Sequence, residues 1–221
     1  MSLLHPLVYS RDHDICRGDR NLLFTDTWNV NALKVNHMRK LIFGINLTVD
    51  GCCDHTKGIA DEELHDFYTQ IIRDSDTFVY GRKTYQLMVP FWPDMAKTNS
   101  GSTKAMNDFA QAFDAIKQIV VFSRSLGNVE EKNARIVRAD LEEEILKLKM
   151  QEGENILTGG VDVPSQLIQL GLVDEYYVVI QPLLVGQGRR LLEGVTLQEK
   201  LQLVDSKFFR SGSVALHYVK G

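Results

Sequence analysis

The residues best suited to bind an anion stand at the end of a short apolar run. Residues 77–80 (T-F-V-Y) favour a β-strand, and Gly81 ends the run. Arg82, Lys83 and Thr84 follow at once. A strand that ends at a glycine and turns into a helix leaves free backbone N–H groups at the helix start, and these groups attract an anion. Two cations and a hydroxyl at the same point favour a phosphate. The alternative is a basic, solvated turn.

A second junction of the same kind lies downstream. Residues 155–158 (N-I-L-T) form another short apolar run, closed by Gly159 and Gly160, with Asp162 as a helix N-cap candidate. Adjacent glycines let a backbone approach a ligand closely, although an ordinary strand–turn–helix junction has the same composition. Two such junctions, one of them basic, indicate a dinucleotide held by its phosphates. No G-x-G-x-x-G motif follows a strand, which excludes the Rossmann fingerprint.

The bulk composition excludes several classes of protein. The chain has 221 residues, which suggests one domain or one domain with an appendage. A net charge of −4 gives no reason to expect nucleic-acid or membrane binding. Three cysteines make no disulfide framework, and no apolar run approaches the ~20 residues of a membrane span. The N-terminus lacks a persuasive signal peptide. We therefore expect a cytoplasmic protein.

Residues 1–37 differ in pattern from the rest of the chain. Their polar and charged residues are scattered among apolar ones without the period of a strand or of a helix. Met38 then leads straight into the first apolar run. We therefore expect residues 1–37 to form a poorly ordered N-terminal extension that adds little to the fold, and residues 38–221 to form the folded domain.

Hydrophobic periodicity predicts strands that alternate with helices early in the chain and dominate late. The predicted strands cover residues 41–49, 78–80, 118–122, 135–138, 155–157, 176–182, 201–209 and 214–219. The predicted helices cover residues 61–73, 83–88, 103–113, 140–150 and 163–170, and residues 89–103 are predicted to be a loop. This order indicates an α/β fold with a mixed central sheet flanked by helices. The last two strands should form an antiparallel hairpin over residues 210–213.

Four motifs in a fixed order join these elements. The first strand runs into T-V-D-G at 48–51, and G-R-K-T-Y follows the second strand at 81–85. A central strand ends in V-F-S-R at 121–124. The last motif, L-T-G-G-V-D at 157–162, precedes V-D-E-Y at 173–176 and P-L-L-V-G-Q-G at 182–188. From residue 38 to residue 221, the chain therefore resembles the dihydrofolate-reductase-like superfamily, nearest the reductase domain of the bifunctional riboflavin-biosynthesis deaminase-reductase.

The resemblance implies a mostly parallel sheet, a homodimer and an NADPH-dependent reductase activity like that of the riboflavin-pathway uracil reductases. It implies that Ile45 and Asn46 contact the nicotinamide carboxamide through their backbones. It further implies cofactor phosphate contacts from Gly81, Arg82, Lys83, Thr84, Ser123, Arg124, Gly159, Gly160, Val161 and Asp162. Cations on the adenosine side favour NADPH over NADH, because a 2′-phosphate needs positive charge whereas a bare 2′-OH prefers an acid.

In hydride transfer the cofactor carries the reactive chemistry, so the protein mainly has to orient the cofactor and the substrate and to supply a proton. Asp50 is the candidate proton donor, since it stands at the end of the strand that would run beneath the nicotinamide. An Asp-Gly pair is also a common turn former. Glu63 and Asp66 lie on the helix where dihydrofolate reductases keep the carboxylate that binds the pteridine. Acids on a helix surface are, however, usually only solvated.

Aromatic and basic residues further along the chain are the candidates for substrate binding. Trp92, together with Phe91, is suited to form an aromatic wall for a flat heterocycle, or else packs beneath a surface loop. Arg189 and Arg190 are suited to bind a substrate phosphate, although exposed basic residues on a connecting loop are the simpler interpretation. The C-C-D-H run at 52–55 does not predict a metal site, because adjacent cysteines do not easily bind one tetrahedral ion.

Two other functions remain open. A true dihydrofolate reductase is disfavoured because residues 86–99 contain no arginine for the folate glutamate, only Lys97. A fold relative that binds a nucleotide or a partner without catalysis is disfavoured because the phosphate-binding positions are intact. The chain also lacks the H-x-E and P-C-x-x-C signature of zinc deaminases. In riboflavin synthesis, the deamination would therefore belong to another protein.

Overall fold

The computed structural model describes residues 38–221. The predicted extension at residues 1–37 lies outside the described residues. At the start of the described part, a buried ion pair between Arg39 and Asp76 anchors the chain just before the first strand. Within residues 38–221, no helix combines the length and the apolar character needed to cross a membrane.

In the described residues, eight strands form one sheet. The strands are β1 (Leu41–Thr48), β2 (Ser75–Gly81), β3 (Gln118–Phe122), β4 (Ala134–Val137), β5 (Asn155–Gly159), β6 (Glu175–Gln181), β7 (Leu201–Phe208) and β8 (Val214–Lys220). Their order across the sheet is β4-β3-β2-β5-β1-β6-β8-β7. All pairs from β4 to β6 are parallel, whereas β8 is antiparallel to both β6 and β7. The mixed, mostly parallel sheet and the C-terminal antiparallel hairpin are thus confirmed.

The helices are α1 (Glu62–Arg73), α2 (Arg82–Met88), α3 (Phe91–Thr98), α4 (Lys104–Asp114), α5 (Leu141–Met150) and α6 (Asp162–Gln169). A side-chain cap starts α1, where the carboxylate of Asp61 accepts the Leu64 N–H at 2.8 Å. The predicted N-cap at Asp162 is wrong. Val161 occupies the N-cap position without a side-chain cap, and Asp162 is the first residue of α6, where its carboxylate forms an ion pair with Arg189.

The predicted loop after α2 is also wrong, because α3 lies within it. Pro93 stands in the first turn of α3, where backbone N–H groups have no partner within the helix, so the proline removes no hydrogen bond. Met95 and Ala96 are buried against α4. Asn99 ends the helix with a left-handed φ of 49°. Packing against α4 therefore stabilises a helix that the polar composition of the segment did not indicate.

β1 is buried on both of its faces over most of its length, which explains its continuous apolar run. Leu41, Phe43 and Ile45 pack on one face among residues of α5 and α6. Ile42 packs on the opposite face among residues of α1 and α4. Between these two layers, the carboxyl ends of the central strands β1 and β5 stay open. This edge is where open parallel sheets bind their ligands.

Candidate active site

A cleft of about 690 Å³ opens at the carboxyl ends of β1 and β5. Residues 44–48 of β1 and residues 157–159 of β5 form its floor, and residues of α1, α2, α3 and α4 form its walls together with the loops after β1 and β6. Because Gly44 is paired with Gly159, the two parallel strands reach the cleft at the same level. The volume is in the range of small-molecule binding sites.

The two glycine-marked junctions meet at one end of this cleft. Gly160 has a φ of +86°, which favours glycine, and a Cβ atom at this position would collide with Oγ1 of Thr84. Lys83, Gly159 and Val161 line the same end. The Thr84 hydroxyl therefore occupies the place of the side chain that Gly160 lacks, and the backbone after β5 packs closely against the first turn of α2.

The structure brings most of the predicted site residues to the cleft. Those that line it are Ile45, Asn46, Lys83, Thr84, Trp92, Gly159, Gly160, Val161 and Arg189. Those that do not line it are Asp50, Gly81, Arg82, Ser123, Arg124 and Asp162. The ligand contacts of both groups remain predictions.

Arg82 and Arg124 follow neighbouring strand ends, because Gly81 of β2 is paired with Phe122 of β3. Both arginines are exposed, and neither forms an ion pair with another described residue. The hydroxyl of Ser123 accepts hydrogen bonds from two backbone N–H groups of the following turn, at 3.2 and 2.9 Å. The turn after β3 is thus closed by Ser123, and two unpaired cations stand at the same edge of the sheet.

Arg189 differs from these arginines because it is already paired. Its guanidinium forms an ion pair with Asp162 at the start of α6. Its carbonyl accepts the Cys53 N–H at 2.8 Å, which ties the loop after β6 to the loop after β1. Since the carboxylate of Asp162 already balances its charge, Arg189 is less suited than Arg82 or Arg124 to bind a phosphate.

Asp50 lies in the turn after β1 and holds the loop after β6. Its carboxylate accepts a hydrogen bond from the Thr48 hydroxyl at 2.5 Å and one from the Gly186 N–H at 2.7 Å. These bonds, with that of Thr48 the largest, lower the pKa of Asp50 to about 2. A carboxyl group that is ionised at neutral pH has no proton to donate. The structure therefore favours a positioning role for Asp50 over the predicted role as proton donor.

Helix α1 presents His65 and Tyr68, rather than the predicted acids, to the cleft. Glu63 instead accepts the Arg210 N–H at 2.7 Å in the turn between β7 and β8. The Tyr68 hydroxyl donates to Oδ1 of Asn46 at 2.9 Å, and burial raises the pKa of Tyr68 above its usual value. The i, i+3 spacing of His65 and Tyr68 puts both on one helix face, and this spacing is the sequence signal that was missed.

Trp92 lines the cleft from α3, inside a cluster of rings. Its ring centroid lies 4.4 Å from that of Phe109 and 5.8 Å from that of His65. Phe91, which was predicted to share this wall, is 52% exposed and does not line the cleft. The end of the cleft remote from Gly160 is therefore an aromatic, largely apolar pocket.

The loop over the cleft is fixed by Gln181, the last residue of β6. This buried side chain accepts the Ile59 N–H at 2.9 Å and donates to the Ile59 carbonyl at 2.7 Å. Gly58 allows this approach, because a Cβ there would lie only 2.9 Å from Oε1 of Gln181. The two partners are 122 residues apart in sequence, so no local pattern could have indicated the contact.

The C-C-D-H run at 52–55 forms part of the cleft wall. Cys52 is buried, and burial raises the pKa of the Cys53 thiol. The carboxylate of Asp54 accepts the N–H and the hydroxyl of Thr56, at 3.0 and 2.8 Å, and so closes its own short turn. Among residues 38–221, no three potential metal ligands come together.

Comparison with known proteins agrees with this architecture. Protein YyaP of Bacillus subtilis (strain 168), described as uncharacterized, is 29% identical over 184 residues, which cover 81% of this chain and 94% of YyaP. The fold resembles that of a putative riboflavin biosynthesis protein from Shewanella sp. PV-4, with a TM-score of 0.60 and 18% identity over 82% of this chain and 99% of that chain.

It also resembles the diaminohydroxyphosphoribosylaminopyrimidine deaminase/5-amino-6-(5-phosphoribosylamino)uracil reductase of Thermotoga maritima. Here the TM-score is 0.60 and the identity 16%, over 85% of this chain and 58% of that chain. The model of the RibD C-terminal domain family matches residues 39–215, which include both glycine-marked junctions and the whole cleft. The chain therefore belongs to the RibD C-terminal domain family, a riboflavin-biosynthesis reductase-like family with the dihydrofolate-reductase-like fold.

Proposed function

We propose that this protein is an NADPH-dependent oxidoreductase that reduces a flat heterocycle, as does the 5-amino-6-(5-phosphoribosylamino)uracil reductase of riboflavin biosynthesis. The observation that carries the proposal is the close approach of Gly160 to Thr84. This approach brings the backbone at residues 159–161, the Thr84 hydroxyl and Lys83 together at one end of the cleft, and these groups suit a pyrophosphate. Any side chain at position 160 would have to displace the Thr84 hydroxyl.

The residues present fit a dinucleotide along its whole length. Lys83 and Thr84 would hold the pyrophosphate together with residues 159–161, and Arg82 and Arg124 would hold the 2′-phosphate. The backbone of β1 at residues 45 and 46 would contact the nicotinamide. NADPH supplies the hydride when it is bound. What this chain contributes is the orientation of the two ligands and the exclusion of water.

Two contacts serve that orientation. The Tyr68 hydroxyl fixes the side chain of Asn46 on the cleft floor, and because its pKa is raised, it stays protonated at neutral pH. Gln181 holds residues 58–60, which line the cleft, against β6. A lining loop held in place would help to keep water from the reacting atoms.

Calorimetric titration and a spectrophotometric assay of NADPH oxidation test the proposal. The unchanged protein should bind NADPH and oxidise it with one of a set of uracils, pteridines, simple carbonyl compounds or imines. Gly160→Ala should weaken NADPH binding, because its Cβ would displace the Thr84 hydroxyl and a φ of +86° strains any residue other than glycine. Gly127→Ala is the matched control, because a Cβ there meets nothing within 4 Å, and it should leave binding unchanged. Failure of the unchanged protein to bind NADPH would favour a non-catalytic relative.

We also propose a homodimer in the cytoplasm. β7 is an edge strand whose Leu203, Val204 and Phe208 are at least half exposed, and a second copy of the chain could cover them. Light scattering at micromolar concentration should give twice the chain mass of 25.1 kDa, and Phe208→Lys should lower it. A monomer mass for the unchanged protein would contradict the dimer. The free thiols of Cys52 and Cys53 suit a reducing compartment.

A further inference from the structure

Tyr80 is a buried residue of the cleft whose hydroxyl group has no function within the described fold. It stands on β2 directly before Gly81, and it is 5% exposed. Its hydroxyl forms no hydrogen bond with another described residue, although its oxygen is not sealed from open space. The open space that Tyr80 borders is the cleft, which it lines. The cleft therefore offers its ligand a free O–H group at the end of β2.

A second tyrosine of the same cleft shows what is unusual about Tyr80. Tyr68 also lines the cleft, but its hydroxyl donates to Oδ1 of Asn46 at 2.9 Å. Buried hydroxyl groups are mostly paired in this way, because a polar group that has lost its water is costly without a new partner. A phenylalanine at position 80 would fill nearly the same space without this cost. A ligand therefore explains the Tyr80 hydroxyl better than the fold does.

The packing around Tyr80 makes its hydroxyl a fixed donor. Its ring centroid lies 5.1 Å from that of Phe78, and both rings belong to one apolar cluster with Phe113 and Leu157. The backbone of Gly159 approaches the same ring, since a Cβ there would lie 4.0 Å from Cε1 of Tyr80. Burial raises the pKa of Tyr80 above its usual value, so the hydroxyl keeps its proton at neutral pH.

A donor in these surroundings suits an acceptor that carries no charge. Among residues 38–221, no charged side chain contributes to the raised pKa of Tyr80, which burial alone explains. A carboxylate or phosphate bound to this hydroxyl would thus lose its hydration without gaining a counter-ion, which is costly. A carbonyl oxygen accepts a hydrogen bond without that cost, and a flat carbonyl compound packs well beside aromatic rings. The position therefore selects a neutral carbonyl group.

We propose that Tyr80 is a specificity-determining residue whose hydroxyl donates a hydrogen bond to the oxygen of an uncharged carbonyl group on the bound ligand. Such an oxygen can belong to the substrate or to the carboxamide of the nicotinamide, and binding measurements separate these two sources. A substrate carbonyl held in this way is also polarised, which suits a group that is to be reduced. The inference deepens the proposed reductase function and rests on it, but the hydrogen bond itself can be measured without NADPH.

Two small molecules that differ only at the carbonyl test this hydrogen bond. Acetophenone is a flat, uncharged ketone, and α-methylstyrene has a CH2 group where acetophenone has its oxygen. Ligand-observed NMR titration measures the affinity of each for the unchanged protein and for Tyr80→Phe. Acetophenone should bind about 3- to 10-fold more weakly to Tyr80→Phe, because the hydrogen bond is lost. α-Methylstyrene should bind to Tyr80→Phe at least as tightly as to the unchanged protein, because it accepts no hydrogen bond.

Tyr68→Phe is the matched control for stability. It removes a paired hydroxyl and should lower the Tm, whereas Tyr80→Phe removes an unpaired one and should keep or raise the Tm. A fall in Tm for Tyr80→Phe as large as that for Tyr68→Phe would mean that the fold uses this hydroxyl, and would overturn the inference. It is equally overturned if acetophenone does not bind, if Tyr80→Phe leaves its affinity within twofold, or if both small molecules weaken alike.

Calorimetric titration with NADPH assigns the source of the carbonyl. We expect Tyr80→Phe to bind NADPH as tightly as the unchanged protein does, which would give the carbonyl to the substrate. A loss of NADPH affinity as large as the loss for acetophenone would give it to the carboxamide of the cofactor. Failure of the unchanged protein to bind NADPH, with the acetophenone effect intact, would overturn the reductase function and leave the carbonyl site standing.

Discussion

Selection of NADPH over NADH is the prediction that depends most directly on named side chains. Arg82 and Arg124 stand at paired strand ends, and neighbouring strands lie ~4.8 Å apart, so both guanidinium groups can reach one phosphate. Neither has an ion-pair partner among the described residues. The extra phosphate of NADPH would therefore find two free cations, whereas a bare 2′-OH is better suited to an acid.

The expected magnitude follows from the exposure of these arginines. A hydrogen bond to a charged group contributes about 1.5–3 kcal/mol, and solvent-exposed contacts belong at the lower limit of this range. One arginine contact of about 1.4 kcal/mol corresponds to a tenfold preference. We therefore expect NADPH to bind at least ~10-fold more tightly than NADH, and the ratio to shrink at high salt as exposed charges are screened.

Calorimetric titration with both cofactors measures this ratio. Arg82→Ala and Arg124→Ala should each weaken NADPH binding and leave NADH binding nearly unchanged. Arg73→Ala is the matched control, because it removes an exposed positive charge from the far end of α1 and should change neither affinity. Equal affinities of the unchanged protein for NADPH and NADH would refute the assignment of the 2′-phosphate to these residues.

Three further predictions concern stability and the residues outside the cleft lining. Asp50→Asn should leave turnover within a few-fold of the unchanged protein and keep the pH–rate profile, and a large loss of activity, greatest at the low pH at which a carboxyl group is protonated, would restore the role as proton donor. The pKa of Asp50 is lowered to about 2 in the folded state, so its stabilising effect is full above about pH 4. The difference in Tm between the unchanged protein and Asp50→Asn should therefore shrink below about pH 4 and disappear as the pH falls through about 2. Asp76→Ala should destabilise by about 3–5 kcal/mol in urea titrations by leaving buried Arg39 unpaired, whereas Asp94→Ala, which breaks an exposed pair, should cost under about 0.5 kcal/mol. A chain that begins at Met38 should keep its Tm within a few degrees and still bind NADPH, and loss of folded protein would make residues 1–37 part of the fold.

The sequence indicated those parts of the fold that depend on neighbouring residues. The strand β3 was predicted with the bounds that the structure shows, since its apolar run is buried on both faces. The junctions at Gly81 and Gly160 were recognisable because a glycine interrupts an apolar run before a helix start. Asp162 shows the limit of such reasoning. Its type and position suit an N-cap, but a distant partner, Arg189, takes its carboxylate.

The residues that the sequence did not indicate depend on contacts between distant segments. His65 is an ordinary polar residue in the helical pattern, and only the packing of α1 against α3 and α4 surrounds it with rings. Gln181 follows an apolar strand, and its role appears only when residues 58–60 lie beside it. The helix α3 depends on burial of Met95 and Ala96 against α4. In each case the deciding free energy comes from tertiary packing, which local propensity does not contain.

The two ends of the cleft are built by different elements, which would separate the proposed cofactor contacts from the proposed substrate contacts along the chain. The phosphate end comes from the turns that follow β2 and β5, and the aromatic end comes from α1, α3 and α4. Because distant sites with no shared partners contribute additively, a change at Arg82 should alter the cofactor preference without altering the affinity of the aromatic end for a heterocycle. A change at His65 should do the reverse. In a family with this architecture, the aromatic end of the cleft can therefore vary while the phosphate end is kept. Under the proposed function, the substrate of each member must then be inferred from the residues of α1, α3 and α4.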